Sequence, residues 1–201
     1  MRTLFSGVII SCCGIVLLNC GEKPAAVQET TFTRLDSLTD CYLGIQDSML
    51  QAWNMMIQDD NQKIKAMHNL LHELMISNPG QQEQLTAYEE RLDQLVRLRY
   101  NQKTMANADV IEEYDFASNS LVTELLSMAE SQTEFAYNTT LQKLADEIRA
   151  ADQRVNNYRE DYDAITASYN RFVEKNRDMM KEIDNSAMPD KRPLFQMVSE
   201  D

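Results

Sequence analysis

Glycine and proline are scarce, with five and four in 201 residues. So small a supply of turn-formers argues against the many hairpins of a sandwich or barrel and for a few long helices. Signature motifs are missing too: the chain has no nucleophile elbow, phosphate-binding loop, dinucleotide fingerprint or zinc-type cysteine spacing. With no catalytic constellation to point to, the chain is expected to be non-enzymatic and to need no cofactor. Positive charge is also in short supply. Nineteen Lys and Arg stand against 32 Asp and Glu, a formal net charge of −13. A phosphate backbone would be repelled, which excludes nucleic acid as a partner. An anionic bilayer surface is disfavoured for the same reason, so membrane attachment requires a greasy anchor. At this length a single domain is the default, and a hydrophobic share of 43% suffices for its core.

The stretch around which the rest is arranged is Leu141 to Ile183. Leu141, Leu144, Ile148, Ala151, Val155, Tyr158, Tyr162, Ile165, Tyr169, Phe172, Asn176, Met179 and Ile183 alternate by three and four, and only Asn176 interrupts the apolar series. A strand repeats every two residues and cannot make this pattern. An α-helix with one apolar seam does, and the mean spacing near 3.5 favours coiled-coil packing against partner helices. The predicted rod runs roughly 65 Å at ~1.5 Å per residue, and it cannot bury its seam alone.

Arg2 and the apolar run Leu4–Leu18 resemble a signal peptide; the run is short of the ~20 residues of a membrane-spanning helix. It ends in Leu17-Leu18-Asn19-Cys20-Gly21, which resembles a bacterial lipobox with Asn19 in place of the usual small residue. Residues 1–19 are therefore expected to be a lipoprotein signal, with Cys20 as the lipidated residue; Cys12, Cys13 or an uncleaved anchor are the alternatives. Acyl chains on Cys20 would replace the discarded segment as anchor, at ~0.8 kcal/mol per buried CH₂. Cys41 is then left over, and it is expected to be a small buried hydrophobe, with a reactive thiol as the second reading.

Residues 20–31 read as a flexible tether. Thr33 with Asp36 three positions on marks a helix start. Leu35, Leu38, Tyr42, Ile45, Met49, Trp53, Met56, Ile64, Met67, Leu71 and Leu74 continue at helical spacing, slipping only at Asp59-Asp60, which marks a local kink or an exposed turn. Asn78-Pro79-Gly80 ends this helix, with Asn78 placed to cap the next and Gln81 at the capping-box position. The second helix carries Leu85, Tyr88, Leu92, Leu95 and Met105. Asn107 to Asp109 is a break with a cap on Asp109, and the third helix shows Tyr114, Leu121, Leu125 and Met128. A phase mismatch puts a turn between Ser131 and Asn138. The expected fold is thus all-α: an antiparallel up-and-down four-helix bundle over residues 32–185, with two long and two shorter helices and a C-terminal tail, 186–201. Two short helices cover only part of two long ones. A four-helix head and a two-helix stalk near the membrane follow, the stalk exposing apolar surface for self-association.

Several segments, in order, resemble the LemA family of bacterial envelope proteins, in which a charged E-N-R-I segment is followed by two Y-N pairs and a late K-R-P-Y-F. The counterparts are Asp152-Gln153-Arg154-Val155, Tyr162-Asp163, Tyr169-Asn170 and Lys191-Arg192-Pro193-Leu194-Phe195. Ala52-Trp53 is similar to the family's A-W, Met67-His68-Asn69-Leu70 to its I-P-N-L, and Glu130 and Asn138 fall where its E-A-Y-P-D-L-K-A-N would place them. His68 departs from the family's proline, the turn proline before the fourth helix is absent, and the anchor looks lipidated where members usually keep a transmembrane helix. The resemblance implies a long-helix bundle held at the membrane of the cell envelope, facing the periplasm or the cell surface, and it names no activity.

Candidate sites have plain readings beside them. His68 and His72 lie four apart on one helical face, a spacing that can supply two metal ligands. The Glu-x-x-His pattern of a bundle metal site is absent, since Lys65 and Asn69 hold the positions three before, so they are weak metal candidates. Tyr158, Tyr162 and Tyr169 are expected in the core, Met179-Met180 as a soft contact surface, and Glu112-Glu113, Asp161, Asp163 and Asp59-Asp60 on solvated faces. Asn176 either sets register or is simply exposed. Acid–base catalysis would need carboxylates in a cleft, which a tight bundle is not expected to offer. The expected role is a membrane-anchored scaffold for unidentified envelope proteins, with homo-oligomer formation open. A ligand- or metal-binding bundle and a holdase-like chaperone are the alternatives.

Overall fold

The long first helix is fixed at its start by reciprocal hydrogen bonds. Thr33 Oγ1 accepts from the Asp36 backbone N–H at 3.1 Å, while the Asp36 carboxylate accepts from the Thr33 backbone N–H at 2.8 Å. This capping box satisfies two of the donors a helix start leaves open. In the computed structural model, which describes residues 32–183 and 189–195, the helix α1 then runs unbroken over Arg34–Ser77. The signal, the tether and Cys12, Cys13 and Cys20 lie outside the described residues. Helices α2 (Gln82–Leu98), α3 (Ala108–Glu130), α4 (Thr139–Lys175) and α5 (Arg177–Ile183) follow. Helix accounts for 84% of the described residues, among which there is no strand, and all five helices fall in one compact unit. No described helix is long and apolar enough to cross a membrane.

Pairings give the helix directions. Tyr42 stacks on Tyr169, Trp53 meets Tyr162 edge-on, and Lys63 reaches Asp152, so α4 runs antiparallel to α1. Gln82 binds the Met75 carbonyl and Arg99 the Asn61 side chain, which sets α2 antiparallel to α1. Arg91 grips Glu124 with two bonds between α2 and α3; that bond, then Ser120, holds the Glu124 carboxyl down at about 2. Arg149 of α4 pairs with Glu130 of α3. Met56, Met67, Leu70, Leu74, Leu85, Leu92, Leu95 and Leu125 are fully buried between these helices.

Several boundaries differ from the expectations. Asp59-Asp60 is neither a kink nor an exposed turn: α1 passes straight through, and both side chains are buried. Asn78 turns its amide back to the Leu74 carbonyl and does not cap the next helix, and Pro79–Gln81 form a short 3₁₀ turn ahead of α2. Asn107, not Asp109, caps α3, its side chain accepting from the Asp109 N–H. Met105 is buried, but in a 3₁₀ turn beyond α2. Asn138 caps α4 from the expected turn.

The predicted last rod is two helices. Asn176 returns its side-chain amide to the Phe172 carbonyl and ends α4. The buried seam also drifts, from Phe172 and Met179 to Val173 and Met180, which are fully covered. A straight helix of 3.6 residues per turn gains on a 3.5 repeat in this way, so Met180 is core and not contact surface. Tyr162 and Tyr169 are buried, while Tyr158 is half-buried. Cys41 is exposed, which corrects its assignment to the core.

Leu70→Ala should destabilise the chain by about 2–5 kcal/mol in urea unfolding, as cavities in fully buried sites do. Leu43→Ala, at a half-exposed site, should stay within about 0.5 kcal/mol.

Candidate functional site: a buried charge ladder closed by a C-terminal strap

Charge is taken into the interior at one level of the α1–α4 pair. Asp60, only 2% exposed, meets Lys63 at 3.3 Å and Arg99 at 2.8 Å. The Tyr114 hydroxyl donates to both of its carboxylate oxygens, at 2.6 and 2.8 Å. Lys63, equally buried, also donates to the Ser118 hydroxyl at 2.9 Å and pairs with Asp152 at 3.1 Å. Asp59 accepts from Arg154 at 2.9 Å. Arg159 forms a two-bond pair with Asp115, at 2.6 and 2.8 Å. Asp59, Asp60, Asp115 and Asp152 thus answer Lys63, Arg99, Arg154 and Arg159, charge for charge. Leaving Asp59, Asp60 or Lys63, the buried members, unmatched would cost several kcal/mol, so the pairs fix which residues of α1, α3, α4 and the turn after α2 stand opposite one another.

The hydroxyls in this ladder are held protonated. Burial, followed by the charge of Asp60, pushes the Tyr114 hydroxyl well above its usual range. Burial takes Tyr100 up to about 12, against the pull of Arg159. Burial also works against the Arg159 charge, but the hydrogen bonds of Asp115 and Tyr100 outweigh it and keep its pKa raised. Near neutral pH the Tyr114 hydroxyl donates to Asp60 and the Tyr100 hydroxyl accepts from Arg159.

Part of the segment expected as a C-terminal tail, residues 191–195, crosses the site. Arg192 exchanges two hydrogen bonds with the Asn170 side chain, at 2.8 and 2.9 Å, and the Phe195 N–H donates to Asp163 at 2.8 Å. The Phe195 ring stacks on Trp53 at 6.2 Å, meets Tyr100 and Tyr162 edge-on, and lies 5.0 Å under the Arg159 guanidinium. Such ring and cation contacts each contribute of order 1 kcal/mol beyond burial. Residues 191–195 therefore form a strap, and Asp163 is a strap anchor and not merely a solvated charge. Trp53, Tyr162-Asp163, Asn170 and Arg192–Phe195, scattered through the sequence, are joined by the strap, while Arg154 pairs with Asp59 elsewhere on α4. Sequence reasoning missed Arg99, Tyr100, Asp115 and Arg159. It also missed a signal: an unbroken apolar rhythm that carries Asp59-Asp60 without glycine or proline indicates charges buried against partners.

His68 is half-buried, 3.9 Å from Asp93, and His72 is exposed. Among the described residues no group of three or more His, Cys, Asp or Glu is placed to hold a metal ion. Glu112, Glu113 and Asp161 lie on exposed faces. Open clefts interrupt a surface expected to have none, and two of them matter for their position. One, about 840 Å³, lies between α1 and α4 beside Lys65, Asn69 and Lys143. The other, about 700 Å³, lies between the start of α3, α4 and the strap. No protein-family profile, curated protein or solved structure matches this chain.

Asp60→Asn would take the buried counter-charge from Arg99, leave Lys63 with Asp152 as its one carboxylate, and should cost about 3 kcal/mol in urea unfolding. Phe195→Ala should cost roughly half of the ~3–5 kcal/mol of a fully buried phenylalanine. It should also shift the emission of Trp53, the single tryptophan, to longer wavelength as water reaches it.

Proposed function

We propose that this protein is a lipid-anchored scaffold of the bacterial cell envelope, of the LemA type, that docks other proteins along its helices and performs no chemistry. The observation that carries this reading is on α1. Leu43 and Leu50 are 50% and 52% exposed, one heptad apart, on the part of α1 that precedes its contacts with α2 and α3. Two large side chains half in water on one helical stripe suit a groove-and-helix contact. The arrangement reads as an up-and-down four-helix bundle whose fourth member is broken at Asn176. The segment before Trp53, packed on α4 and α5, corresponds to the stalk. With Cys20 acylated and a short tether before Thr33, the stripe would stand close to the membrane, where an envelope partner is within reach.

The ladder and strap support a structural role for the interior. Their charges are matched and their tyrosine hydroxyls are committed to Asp60 and Arg159, which favours rigidity.

A photoreactive amino acid at Leu50, activated in growing cells, should crosslink a defined envelope protein or a second copy of this chain. Leu43→Asp with Leu50→Asp should abolish that product while leaving the unfolding free energy within about 0.5 kcal/mol of wild type. No crosslink at Leu50, or one indifferent to the two aspartates, would overturn the docking reading. Radiolabelled palmitate incorporation lost in Cys20→Ala checks the anchor.

A further inference from the structure

The cleft beside the strap differs in chemistry from the rest of the surface. Its floor is apolar: Met105, Ala108, Ile111 and Ala167 are joined by Leu194 and Phe195 from the strap. Its rim carries three cations, Arg171, Lys191 and Arg192, against Glu112 and Glu174. In a chain of net charge −13, this is a local reversal of sign. The rim carboxylates leave two of the cations available. Glu174 is taken by Lys191 at 3.3 Å. Arg171 gives a single hydrogen bond, to the Ser168 hydroxyl. The backbone of Arg192 is pinned by Asn170, while its exposed side chain makes no hydrogen bond or ion pair among the described residues.

An apolar trough with two available guanidinium groups at its edge suits one kind of molecule: a long apolar tail ending in a small planar anion. We propose that this cleft binds a free long-chain fatty acid. The acyl chain lies over Met105, Ile111, Ala167 and Leu194, and the carboxylate meets Arg171 and Arg192. Guanidinium recognises carboxylate through paired, charge-assisted hydrogen bonds, and about 700 Å³ falls in the range of small-molecule sites. A peptide ending in apolar residues would also need free backbone partners. The strap commits the Arg192 N–H and carbonyl to Asn170 and the Phe195 N–H to Asp163, whereas an acyl chain needs none. This site is separate from the Leu43–Leu50 stripe and stands or falls apart from it.

The test uses the full chain and a palmitate analogue bearing a diazirine in its tail, crosslinked by light and mapped by mass spectrometry. Label is expected on residues 105–111, 167–171 and 191–195. Unlabelled palmitate should compete at a concentration about tenfold or more below that needed of hexadecanol, which has the same tail without the charge. Arg171→Gln with Arg192→Gln should weaken labelling by at least about tenfold. Ala167→Leu, which fills the floor and leaves the charges alone, should weaken it as well, with helix content by circular dichroism unchanged. Label confined to other residues, equal competition by hexadecanol, or labelling indifferent to Ala167→Leu would overturn the proposal. So would capture of an apolar C-terminal peptide by a cleft that palmitate does not enter. The hexadecanol comparison is made on the wild-type chain, so it decides even where the double arginine variant does not fold.

Discussion

Everything in this fold depends on the antiparallel seam between α1 and α4. Neither helix can bury its apolar stripe alone, and each supplies most of the other's cover, from Tyr42 on Tyr169 to Lys63 on Asp152. Apolar contact is forgiving about register, because one turn of leucines fits another nearly as well as its neighbour. The matched charges remove that freedom. Sliding α4 by one turn would separate Asp59 from Arg154 and Asp152 from Lys63 and leave the buried Asp59 carboxylate without its cation. Hydrophobic burial holds the pair together, and electrostatics decides how it is aligned.

α2 and α3 complete this arrangement and have little independence from it. Arg99 and Tyr114 both end on Asp60, so the turn between α2 and α3 is tied to the middle of α1. Arg159 then joins α4 to Asp115 of α3 and to the Tyr100 hydroxyl. The strap is laid over the same level, so the charge ladder and the aromatic cluster share Tyr100 and Arg159 and form one cooperative unit.

The helices were legible in the sequence because their period is physical: an apolar residue every three or four positions leaves no other way to hide the stripe. Thr33 with Asp36 and the turn before Asn138 were legible because capping chemistry is local. The charge ladder was not. Asp59 looks like any solvated acid until Arg154, far along the chain, is placed beside it, and a one-dimensional pattern carries no such pairing. The end of α4 at Asn176 was ambiguous for a similar reason, since an amide in a seam can set register or end a helix, and only its bond to Phe172 decides. The strap was hardest to foresee. A short extended segment has no periodicity, and its placement rests on partners in α1, α4 and the turn after α2. For Cys41, the sequence put a small residue beside a seam, and the helix turned it to water instead.

The order in which these contacts become available has a kinetic consequence. Ribosomes release the chain from its N-terminus, and Phe195 is made after every residue it touches: Trp53, Tyr100, Arg159, Tyr162 and Asp163. The α1–α4 alignment must itself wait for partners 95 positions apart, such as Asp59 and Arg154, and so follows the shorter-range helical hairpins. The Phe195 ring cannot seat before Trp53, Tyr100 and Tyr162 have been brought together to receive it. A nascent chain stalled before it would hold its helices with Trp53 still open to water.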